Sequence, residues 1–114
     1  MTGAVAVGTV VTVHLADPSE KLWGVVMQMD TLGLVLRGIN LSTFDDWMAE
    51  AASSERPSIG LATMFLPMRR VERVFVDEQV GAVESYCQRF ERRVGVSIWS
   101  YLGLPEGDEG TPPS

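Results

Sequence analysis

Residues 9–16, TVVTVHLA, place Val11, Val13 and Leu15 on one face of an extended chain and Val10, Thr12 and His14 on the other. That is the two-residue period of a strand. DPSEK (17–21) follows as a turn, with Pro18 presetting a turn dihedral and Asp17 able to close it. LWGVVMQMD (22–30) predicts a second strand, in which Gly24 marks a bend or a close backbone approach. A tight turn at TLG leads into LVLRGI (34–39), the third strand of a meander.

The period then changes. Phe44, Trp47, Met48 and Ala51 share one helical face, and Ser42 with Asp45 three residues on resembles a capping box. These features predict a short helix over about 42–52. LATMFLP and VERVFVDE read as two more strands meeting at MRR, with Pro67 ending the first. From about 78 to 94, Val80, Val83, Cys87, Phe90 and Val94 recur at steps of three and four, predicting a longer helix capped by Gly95. VSIWSYLGLP adds one more turn that brings Ile98, Trp99 and Leu102 onto the body. The whole is one mainly β domain over 1–103 with added helices. EGDEGTPPS closes the chain, so 104–114 is expected to be a disordered acidic tail.

Composition narrows the picture. In 114 residues the chain is 46% hydrophobic and 21% charged, which suits one globular domain. Fifteen acids against nine Lys and Arg leave a net charge of −6, a field that repels phosphate at long range. Three of the acids, Glu106, Asp108 and Glu109, belong to the tail, and six of the nine basic residues lie between Arg69 and Arg93, so a local basic patch is compatible with an acidic total. A single cysteine, Cys87, fits a reducing compartment and removes any multi-cysteine metal site. The N-terminus has no basic residue before its apolar run, and no stretch approaches the roughly 18 to 20 apolar residues of a membrane span. A cytoplasmic location with no membrane partner is the expectation.

Five short strands grouped as three, a helical insert and two predict a strongly bent SH3-like barrel. Gly24 inside its strand, Asp30 six residues later and the Leu34-x-Leu36 pair resemble the first motif of Sm-like proteins, the Sm, LSm and Hfq group. LPMRRVERV (66–74) falls where that family's second motif belongs, with Leu66, Val71 and Val74 at its apolar positions. The resemblance covers roughly 9–77. It implies a five-stranded Sm-like barrel with the helix inserted between strands 3 and 4, closed rings of copies joined through the fourth and fifth strands, and RNA bases held at the turn after the second strand. This chain departs from the RNA-contact pattern. The turn is about one residue shorter, Gly33 stands near the position of the family's Asn, and Pro67 and Met68 replace its Arg-Gly or Lys-His pair.

The candidate ligand-binding residues are therefore Asp30, Gly33, Arg37, Met68, Arg69 and Arg70. The arginine forks suit phosphate or carboxylate, and the same arginines paired with Glu72 and other acids on a solvated turn are an equally open reading. Asp30 reads as a turn-closing acceptor. His14 and Cys87 give no nucleophile and base pair, Asp45 and Asp46 diverge by about 100° on a helix, and Trp23, Trp47 and Trp99 read as core or interface anchors. No phosphate loop, metal-ligand set or cofactor motif is present. The second strand is apolar on both faces, which predicts a homo-oligomer of at least three subunits. Together these lead to a non-enzymatic, self-associating binding or scaffold module, with a single-stranded-RNA binder and a monomeric SH3-like peptide adaptor as the alternatives. Single-stranded RNA is expected to bind more weakly than about 10 µM at physiological salt.

Overall fold

The alternating segments pair into a single antiparallel sheet. In the computed structural model, which describes residues 5–53 and 59–103, the strands are β1 (Val10–Leu15), β2 (Glu20–Met29), β3 (Gly33–Asn40), β4 (Ala62–Pro67) and β5 (Val71–Val76). Their order in the open sheet is β4-β3-β2-β1-β5. The helices are α1 (Phe44–Ser53), which follows β3, and α2 (Tyr86–Val94) and α3 (Ile98–Leu102) at the C-terminal end. The expected tail, 104–114, lies outside the described residues. None of the described helices is long and apolar enough to cross a membrane.

Each face of the sheet carries its own core. On one face Val10, Trp23, Val25 and Ile39 lie beneath Phe44, Trp47 and Met48 of α1, Phe90 of α2 and Ile98 of α3. Aromatic rings fill this layer: Trp47 stacks on Phe90 at 5.0 Å, and Trp23 meets Phe44 edge-on at 4.9 Å. On the other face Val11, Val13, Leu15, Leu22, Val26, Leu34, Leu36 and Leu66 form a second cluster. The apolar residues Leu22 to Val26 on both faces of β2 are thus buried within one chain, while Met27 and Met29 beyond them are exposed. Two-sided apolarity in this strand therefore calls for no subunit contact.

Gly24 and Gly38 are direct cross-strand partners. A Cβ on Gly24 would stand 2.4 Å from the Arg37 carbonyl oxygen and 2.6 Å from the Gly38 Cα, so the pair lets β2 and β3 cross more closely than side chains permit.

The helices depart from the sequence expectation in two places. Instead of starting near Glu78, α2 begins at Tyr86, because the Ser85 hydroxyl accepts from the Gln88 N–H while the Gln88 side chain accepts from the Ser85 N–H. Ahead of this capping box Val80 and Val83 face each other across a short bridge, with Gly81 at φ 59° in its turn. Val80 and Val83 are 67% and 71% exposed, so Phe90 is the buried member of the expected stripe, with Cys87 and Val94 partly covered. Before α1 the chain makes a 3-10 turn, Leu41–Thr43, and its cap is Asn40 in place of Ser42: the Asn40 Oδ1 accepts from the Ser42 N–H at 2.9 Å.

Candidate functional site

The turn between β2 and β3 is closed by Asp30. Its Oδ1 accepts from the backbone N–H groups of Leu32 and Gly33 at 2.8 and 3.2 Å, and its own N–H donates to the Gly33 carbonyl. Against this turn sits a second 3-10 turn, Met68–Arg70, which joins β4 to β5. The Met68 N–H donates to the Leu32 carbonyl at 3.0 Å, and Gly33 pairs with Pro67 in the ladder. Asp30, Gly33, Met68 and Arg69 therefore meet at one end of the sheet, where Leu32 is 76% exposed.

Arg70 turns away from this group. Its Nε donates to the Ala16 carbonyl at 3.2 Å and its Nη2 to the Pro18 carbonyl at 2.6 Å, with Glu20 as ion-pair partner at 3.4 Å. This arginine staples the β1–β2 turn to the β4–β5 connection, and its fork is occupied by backbone. Arg37 is elsewhere again, on the helix-covered side of β3 between Val25 and Thr63, with its Nε buried and unpartnered among the described residues. Of the sequence candidates, four converge, one is a structural clamp and one lies on a different surface.

Asp77, just past β5, was not apparent as a key residue in the sequence. Its carboxylate accepts from the Tyr86 and Cys87 N–H groups, both at 2.8 Å, and from the Trp23 indole at 3.3 Å. It thereby anchors the start of α2 to the centre of the sheet, where an anion also meets the positive end of the helix. Arg89 lies over the rings of Phe44 and Tyr86, at 5.3 and 5.2 Å, and pairs with Asp45 at 3.0 Å. His14 contacts Phe75 edge-on at 5.1 Å. Burial and the adjacent Lys21 and Arg73 hold its imidazole below the ordinary histidine range, against a weaker upward pull from Glu72. Among the described residues no three His, Cys, Asp or Glu side chains converge as a metal site. Comparison with protein families, with curated proteins and with solved structures finds no match for this chain.

Proposed function

We propose that this chain is a non-catalytic, self-associating binding module, its sheet closing into a strongly bent Sm-like barrel whose copies join edge to edge. The observation that carries this reading is the second core. Val11, Val13, Val26 and Leu36 are 0% exposed, yet among the described residues those packed around them come from the strands and Val5, with no helix over that face. A flat sheet would leave them wet; a sheet curled on itself buries them. Curling also suits the chain path, since β4 and β5 are opposite edges of the sheet and only three residues apart in sequence.

Self-association follows from what those edges present. Among the described residues neither β4 nor β5 has a second ladder partner, and each carries an exposed phenylalanine, Phe65 at 56% and Phe75 at 46%. Open edges of this kind are templates for pairing with another chain. The absence of catalysis is read from how the polar groups are spent: Asp30, Arg70 and Asp77 all hold backbone.

The test is the mass in solution of the full chain and of a Phe65→Lys variant, which alters the β4 edge and leaves Phe75 of β5 in place. At micromolar concentration the native chain should have at least three times its 12.5 kDa protomer mass, and the variant should be smaller. A native mass of one protomer overturns self-association. Copurifying RNA, bound with base preference and surviving moderate salt, would replace the scaffold reading with the RNA-binding one.

A further inference from the structure

Ladder register sets three basic side chains in a row. His14 of β1 has Lys21 of β2 as its partner on one side and Arg73 of β5 on the other. In the next row on the same face stand Trp23, Thr12 and Phe75. Trp23 is covered by the helices, whereas Lys21, Arg73 and Phe75 are exposed and His14 is half-buried. Strands are about 4.8 Å apart, so the flanking side chains rise within reach of one small ion above the imidazole. Cross-strand neighbours of like charge are normally destabilising, and among the described residues neither Lys21 nor Arg73 has an ion-pair partner. Glu20 is committed to Arg70, which leaves Glu72 as the acid near the row.

We infer that the row Lys21, His14 and Arg73, with the ring of Phe75 beside it, is a binding site for the phosphate of a nucleotide unit. An oxyanion over His14 relieves the repulsion between the two cations, accepting from the Lys21 ammonium and the Arg73 fork. The exposed Phe75 ring gives the attached base a surface to stack on. The overall negative charge opposes long-range approach, but the Debye length of about 8 Å at physiological salt leaves contact to the local row. The phosphate can come from a free nucleotide or from a single strand, and the site stands on register alone, independent of self-association. Side chains leave a sheet perpendicular to its plane, so edge pairing through β5 would leave the row open.

Linkage supplies the readout. A bound oxyanion favours protonated His14, so it must raise the imidazole pKa, and His14 is the single histidine of the chain. The experiment is an NMR titration of that imidazole in the full-length protein, at constant ionic strength held with chloride. It is repeated with inorganic phosphate, uridine monophosphate and a short oligouridylate. All three should raise the His14 pKa by roughly half a unit or more, and the Lys21→Ala/Arg73→Ala variant should lose that response. Phe75→Ala should weaken uridine monophosphate about five-fold or more while leaving inorganic phosphate unchanged. Per-phosphate affinity higher for the oligomer than for the mononucleotide assigns the site to a strand; equality assigns it to free nucleotide. No pKa response to phosphate beyond chloride, or a response that persists in the double variant, overturns the proposal.

Discussion

Replacing Asp77 with alanine removes the acceptor for three donors at once: the Tyr86 N–H, the Cys87 N–H and the Trp23 indole N–H. A buried donor left without a partner costs about 1–3 kcal/mol. All three donors here are part-buried, which places each near the lower end, and losing an anion at a helix start adds about 0.3–1 kcal/mol. The expected loss for Asp77→Ala is therefore about 3–4 kcal/mol, a large fraction of the roughly 5–15 kcal/mol typical of a domain. Asp77→Asn keeps one carbonyl oxygen and should lose about half as much. Urea unfolding followed by far-ultraviolet circular dichroism measures both variants. A loss below about 1 kcal/mol for Asp77→Ala would show that water serves these donors equally well and that α2 is held by packing alone, whereas equal large losses for alanine and asparagine would show that the charge and not the acceptor carries the contribution.

Two further expectations concern the glycine crossing and the histidine. Gly24→Ala should destabilise by about 3 kcal/mol, since its Cβ would press on backbone that has no rotamer to yield. Gly60→Ala, where no atom lies within 4 Å of the new methyl, should change urea stability by less than about 0.5 kcal/mol; similar losses at both positions would refute close crossing as the cause. His14 has a folded-state pKa below its unfolded value, so the unfolded chain binds more protons and stability falls as pH drops through the ordinary histidine range, with no contribution above it. In chloride buffers His14→Gln should reduce the difference in urea midpoint between about pH 8 and pH 5; an unchanged difference would rule His14 out as a source of that acid sensitivity.

Strand positions are legible where a strand buries one face, because burial writes a two-residue period into the sequence: Val11, Val13 and Leu15 announce β1 without reference to anything distant. The start of α2 is hidden from a periodicity reading because Val80 and Val83 fit a helical step of three, although they face each other across a tight bridge. The competing local signal, Ser85 with Gln88, was present in the sequence and prevails because it satisfies two backbone donors. The turn role of Asp30 needs only its next three residues and was readable. The destination of Arg70 was not, since Ala16 and Pro18 lie more than fifty positions away. The Lys21, His14 and Arg73 row depends on β1–β5 register, including an irregularity between His14 and Leu15. Each of its members alone looks like an ordinary outward-facing polar residue.

The strand order also dictates a schedule for the nascent chain. As residues leave the ribosome, β2, β3 and β4 pair with neighbours made immediately before or after them. The first strand made, β1, has β2 at once but waits for Val71–Val76 to acquire its other neighbour. Trp23 waits longer, until Phe90 of α2 and Ile98 of α3 complete its cover. Loop-closure entropy makes such distant contacts late ones. Until the last helices are made, the growing polypeptide therefore carries an open sheet edge and an uncovered indole, the features that chaperones recognise and that drive misassembly.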